Sequence, residues 1–143
     1  AASAGLARLA VSRQPRIAVV STGDELVEPG QPVLAHQVRR SNAYGLGAAL
    51  TLAGFAPATD LHLPDREDEL RAAFARELAR QDVLVLSGGV SAGRYVFVHA
   101  ALAACGVRRV FHQVSQRPCR SLWFGTHAGG ALVFAAGVLI GNA

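Results

Sequence analysis

Three stretches of this sequence combine residue types that can do chemistry. Ser87-Gly88-Gly89-Val90-Ser91-Ala92-Gly93 lies between an apolar run and a helical pattern. Its glycines can turn backbone N–H groups toward an anion, the helix start adds partial positive charge, and Ser87 and Ser91 can donate hydroxyls. Glycines at such a place also serve simply to make a tight turn. The loop has neither the GKS or GKT of a nucleotide-binding P-loop nor GxGxxG spacing. Thr22-Gly23-Asp24-Glu25-Leu26 sets two acids just past another apolar run. Carboxylates there can take a metal ion, a ribose-like hydroxyl or a pterin-type amide edge, or can cap a short helical turn. Arg117-Pro118-Cys119-Arg120-Ser121 is a stiffened cationic turn suited to a phosphate or other oxyanion, although solvated surface arginines look the same in sequence. Asp65, after Pro64, is best explained locally as a helix N-cap, yet it follows a strand end and could face the same crevice as Asp24 and Glu25. His36, His62, His99, His112 and His127 lack metal-ligand spacing and read as structural or surface residues. Cys105 reads as core, and Cys119 sits in a setting that could make it reactive.

These residues need elements to position them. Residues 1–15 read as a lead-in, interrupted by Gly5, Ser12 and Pro15, with the domain proper over residues 16–143. Arg16–Thr22 and Asp82–Ser87 are continuous apolar runs, the pattern of strands buried on both faces of a parallel sheet. Gly23–Pro32 is expected to be a loop. A helix capped by Ser41 or Asn42 should present Leu46, Ala49, Leu50 and Ala53 and stop at Gly54. Phe55–Leu63, with Pro57, suits a strand near the sheet edge. A second helix after Asp65 should bury Leu70, Ala73, Phe74 and Leu78 and pair Glu67 with Arg71, and a third should bury Val98, Ala101, Leu102 and Cys105 and close at Gly106. Strands over Arg109–Val114, Ser121–Gly125 and Ala131–Ala135 complete a three-layer α/β/α sandwich with a mainly parallel sheet. Ligands of such sheets bind outside the carboxyl ends of the strands where strand order reverses, which singles out residues 22–25 and 87–93.

Composition bounds the rest. The chain has 143 residues, 51% hydrophobic and 17% charged, enough for one compact domain and too apolar for disorder. It contains no methionine, so Ala1 is not expected to be the native start. All fourteen basic residues are arginine; up to Asp82 they are outnumbered by acids, whereas residues 83–143 hold five arginines and no acid. That cationic half points to a small anion rather than nucleic acid, because the arginines are not interleaved with aromatics. Two cysteines without framework spacing, no visible signal peptide and no apolar run of membrane-spanning length lead to the expectation of a soluble, cytoplasmic protein with no membrane partner.

Read in order, Ser21-Thr22-Gly23-Asp24-Glu25-Leu26, Arg40-Ser41-Asn42, Pro64-Asp65 and Ser87 to Gly93 resemble the molybdopterin-binding domain of the MoeA and gephyrin E-domain family, over about Arg16 to Phe134. The resemblance implies a MogA-like fold and a place in molybdenum cofactor biosynthesis, where the full-length enzyme inserts molybdate into adenylylated molybdopterin with magnesium. By motif, Thr22, Asp24, Glu25, Ser41, Asn42 and Asp65 would line the pocket. Ser87, Gly88, Gly89, Val90, Ser91 and Gly93 would hold the pterin phosphate side, and Arg117 and Arg120 would stand where the family has lysines. Glu25 and Asp65 would be the catalytic and metal-holding pair. The ligands implied are molybdopterin, free or adenylylated, and molybdate, with magnesium, in a homo-oligomer, dimer or trimer.

The departures bear on activity. The stretch after the glycine loop reads Arg94-Tyr95-Val96 where the family carries an acidic pattern, so a hard oxygen ligand is missing. The KPGKP motif has become Arg117-Pro118-Cys119-Arg120-Ser121, and the terminal LPGNP has no clean counterpart. Whether the chain is an enzyme is therefore left open. Besides the molybdotransferase-like reading, a non-catalytic module for cofactor delivery or sensing and a CinA-like nucleotide hydrolase stand as alternatives.

Overall fold

The computed structural model describes residues 2–88, 95–115 and 121–136. Strand β1 (Ile17–Thr22) is buried along its whole length. It pairs in parallel with β4 (Thr59–Leu63) on one side and β5 (Val83–Ser87) on the other, so its apolar run meets protein on both faces and both edges. β5 in turn pairs in parallel with β8 (Leu132–Ala136). β7 (Leu122–His127) runs antiparallel between β8 and β6 (Val107–His112), giving the order β4-β1-β5-β8-β7-β6. Along the sheet the chain goes out from β1 to β4, crosses back past β1 to β5 and on to the far edge at β6, and then returns through β7 to β8, so that β1 and β5 lead in opposite directions.

Helix α1 (Ser41–Leu52) packs on β1, whereas α2 (Glu67–Leu78) and α3 (Tyr95–Ala104) pack on each other across the opposite face. The core lies there: Leu70, Phe74 and Leu78 of α2 and Val98, Ala101 and Leu102 of α3 close over Ala18, Val20, Leu84, Leu86, Val133 and Ala135. Trp123 is buried in this layer with its ring over Gly125, two residues on, where a Cβ would lie 2.4 Å from the ring. On the α1 face, Phe111, Phe124 and Phe134 stack across β6, β7 and β8 with ring centroids 5.5 and 4.8 Å apart.

The expected fold class is the one formed, an α/β fold with a mainly parallel central sheet and helices on both faces. Several local expectations need correction. Gly23–Pro32 is not wholly loop, since β2 (Leu26–Val27) forms a two-residue parallel bridge with β3 (Val38–Arg39), too short to leave a periodic signal. Neither Ser41 nor Asn42 caps α1: the N-cap is Arg40, without a side-chain capping bond, and Ser41 is already helical. Of α1, Ala43 is the fully buried residue, while Ala49 and Leu52 face solvent. Asp65 does not cap α2, whose N-cap is Arg66, and the ion pairs described along that helix join Arg66 to Glu69 and Arg76 to Glu77 rather than Glu67 to Arg71. Cys105 lies beyond α3, half-buried against the core, where its Sγ donates to the Arg71 carbonyl at 3.4 Å. Burial pushes its thiol up from the ordinary range.

The lead-in is fastened to the amino ends of the strands. Asp82 accepts from the Arg13 guanidinium at 2.6 and 2.7 Å and from the Arg16 backbone N–H at 2.7 Å. Gln14 adds a pair of bonds, donating to the Gly54 carbonyl and accepting from the Ala56 N–H. The arginines hold the Asp82 carboxyl far below the usual carboxylate range, Arg13 contributing most.

Candidate functional site

The carboxyl ends of β1 and β5 adjoin where strand order reverses, which is where an open parallel sheet leaves a crevice. Ser21 and Thr22 end β1, Ser87 ends β5, and the chain leaves β5 through Gly88. That exit is tight. Gly88 has φ +97°, and a Cβ there would lie 2.6 Å from the Thr22 carbonyl oxygen. Only glycine accommodates both the conformation and the approach.

A pocket of about 70 Å³ opens at this point. Thr22, Glu25, Asn42, Ser87 and Gly88, drawn from three separate segments of the sequence, line it. So do Ser21, Leu26, Arg39 and Arg40, to which the motif reading assigned no role. Asp24, Ser41 and Asp65 do not line it. Asp24 and Asp65 nevertheless meet, the Asp65 backbone N–H donating to Asp24 Oδ1 at 3.4 Å, so the loops after β1 and β4 stand side by side. His62 contributes there as a loop tie, bonding the Gly23 carbonyl at 2.9 Å. Gly89, Val90, Ser91, Gly93, Arg117, Arg120 and Cys119 lie outside the described residues, as does the Val96 side chain.

The wall between β2 and α1 is held by charge. The Arg40 guanidinium, 5% exposed, donates to Glu28 Oε1 and Asp60 Oδ1, and Tyr44 Oη donates to Glu28 Oε2 at 2.9 Å. Arg40 first, then Tyr44, lowers the Glu28 carboxyl below its ordinary value. Glu28 in turn raises the Tyr44 phenol. Only the adjacent pair of arginines before Ser41 hinted at this network, and two adjacent arginines ordinarily read as solvated.

Among the described residues, no three His, Cys, Asp or Glu side chains gather as a metal cluster. A larger depression of about 420 Å³ lies at the opposite, amino ends of β1 and β4, lined by Arg16, Gln14 and Arg80. It lies away from every motif that joins the first pocket.

The sequence profile described as a probable molybdopterin binding domain matches residues 18–141. The chain belongs to that family. It is 37% identical over 123 residues to a molybdopterin molybdenumtransferase of Synechocystis, covering 86% of this chain and 32% of that protein. It is 36% identical over 116 residues to one of Nostoc, covering 81% and 27%. The chain thus spans about a third of the length of the relatives it matches. Among solved structures, a molybdopterin biosynthesis MoeA protein of Pyrococcus horikosii superposes with a TM-score of 0.67 at 23% identity, over 87% of this chain and 30% of that one. A CinA protein of Thermoplasma acidophilum gives 0.63 at 18% identity, over 87% and 88%. Those two likenesses show the shared fold. This member of the molybdopterin-binding domain family is a molybdenum cofactor biosynthesis domain, and the molybdenumtransferase relatives do not favour the nucleotide-hydrolase alternative.

Proposed function

We propose that the chain binds molybdopterin in the crevice between β1 and β5 and acts in the insertion of molybdate into it. The observation that carries this reading is the convergence of Thr22 and Glu25, Asn42, and Ser87 and Gly88 on one pocket at the strand-order reversal. Thr22, Asn42, Ser87 and the backbone after Gly88 would hold the ligand. Gly89, Val90, Ser91 and Gly93 would continue the cradle along the phosphate, and Arg117 and Arg120 would neutralise its charge. Asp24 and Ser41 would border the ligand outside the pocket floor.

Glu25 and Asp65 are the candidate metal holders. The donor set suits magnesium, which takes one or two carboxylates and completes its octahedron from water and ligand phosphate, and the juxtaposed loops after β1 and β4 supply that many. Magnesium, when bound, would neutralise phosphate charge and activate an oxygen for displacement. Glu25 and Asp65 would orient it and molybdate, the ligand being free or adenylylated molybdopterin. We place the functional unit at residues 16–143, in the cytoplasm, as a homo-oligomer. Among the described residues no helix is long and apolar enough to cross a membrane.

Val96, at the position where an acid would be expected, favours a second reading, a module that binds without catalysing. Calorimetric titration with molybdopterin, with and without magnesium, on wild type, Asp65→Ala and Arg117→Ala/Arg120→Ala tests both. Saturable binding weakened in both variants is the expected result. Magnesium-independent binding selects the module, and no binding by a folded wild type removes both readings.

A further inference from the structure

The wall of the pocket contains a cation that the fold withdraws from water. With Arg40 at 5% exposure, its two terminal nitrogens are taken by Glu28 and Asp60, and its backbone N–H donates to the Val27 carbonyl at 3.0 Å. Both carboxylates sit half in solvent, at 46% and 48% exposure, while the guanidinium between them does not. A guanidinium is planar and rigid, so fixing its two ends also fixes the direction of Nε–H.

Of the three guanidinium nitrogens, Nε is the one left without a partner. Among the described residues the Arg40 Nε and the Thr22 hydroxyl are buried without a hydrogen-bond partner. Both residues line the same pocket. A buried donor that finds no acceptor has lost its water and gained nothing, and native structures seldom keep such groups without a use. Two of them at one pocket, on side chains that cannot easily turn elsewhere, call for an acceptor from outside the chain.

We propose that Arg40 is a ligand-contacting residue, its Nε–H and the Thr22 hydroxyl together receiving one electron-rich oxygen of the bound ligand. This rests on the reading that the pocket takes molybdopterin, and it adds the atoms that recognise it. The oxygen is a phosphoryl, a molybdate oxo or the pterin carbonyl, all acceptors without a proton of their own. Because Glu28 and Asp60 together more than offset the Arg40 charge, the contact is a directed hydrogen bond, and its strength changes little with salt.

The test follows the Arg40 Nε–H resonance in the ¹⁵N-labelled chain, assigned by its disappearance in Arg40→Lys, during separate titrations with inorganic phosphate, molybdate and molybdopterin. A saturable shift is expected, and the ligand that produces it identifies the source of the oxygen. Arg40→Lys, checked by circular dichroism and thermal unfolding, should lose affinity roughly tenfold or more, the worth of a hydrogen bond from a charged donor. Glu28→Gln loosens the same ion pair but keeps Nε–H, and should stay within roughly threefold of wild type. Equal losses in the two variants, or wild-type binding with an unmoved resonance, overturn the proposal and leave the molybdopterin reading intact. If wild type binds none of the three ligands, both readings fall. Should Arg40→Lys not fold, the wild-type resonance, assigned instead by through-bond correlation along the Arg40 side chain, alone decides.

Discussion

At the residue scale, Gly88 holds β1 and β5 close enough to make the pocket. Gly88→Ala places a methyl group against the Thr22 carbonyl and demands a left-handed backbone of an L-residue. We expect a loss of about 2 kcal/mol or more in urea unfolding, together with weakened ligand binding, since the strand ends must part. His99 supplies a pH dependence. Burial first, then His112 and Arg109, lowers its folded value from 6.5 to about 4. Between those values the unfolded chain takes up a proton that the folded chain refuses, so stability falls as pH drops through 6.5 and levels off near 4. The ring is only half-buried, so the expected loss is about 1–2 kcal/mol rather than the full value of the shift. Urea midpoints between pH 7 and 4 should show it, and His99→Leu should flatten that slope. Asp82 acts at lower pH: its folded value is depressed, so its contribution is present above the ordinary carboxylate range and is lost as acid protonates it and frees Arg13.

The helices differ in what holds them. α2 is secured by packing, and Phe74, fully buried between α3 and the sheet, should cost about 3–5 kcal/mol as Phe74→Ala, read from thermal unfolding. α1 depends more on its own backbone: its Gly47 has open space where a Cβ would go and an ordinary helical conformation. Gly47→Ala should therefore stabilise by about 0.5–1 kcal/mol, opposite in sign to the same change at Gly88. These contrasts show what sequence can carry. β1, β5, α2 and α3 were legible because each has enough consecutive residues for burial to impose a period. Thr22, Glu25, Ser87 and Gly88 were legible as pocket-lining residues because they stand at strand ends, and Asn42 through the family resemblance. Arg40 was not, because its partners Glu28 and Asp60 lie 12 and 20 residues away and local pattern gives no sign of them. The start of α1 was misplaced for the same reason, since a distant ion pair anchors it in place of a capping side chain. β2 and β3, two residues each, exist only by mutual pairing.

For the molecule as a whole, both edges of the sheet discourage strand addition. β4 has Pro57 just ahead of it, and β6 carries a register shift between Arg109 and Phe111 beside exposed Arg108 and Arg109. Self-association, where it occurs, should therefore use faces rather than edges; deleting the irregularity by removing Val110 should raise aggregation in light scattering. The strand order also sets a timetable. β1 receives β4 within about forty residues, but its other neighbour, β5, begins only at Val83, and β5 then waits for β8 at Leu132. During synthesis the most apolar strand of the first half emerges long before the partner that covers its second edge. A nascent chain halted before Val83 should show no cooperative unfolding, and the interval until residues 83–87 leave the ribosome is when β1 is most open to mispairing and to capture by chaperones.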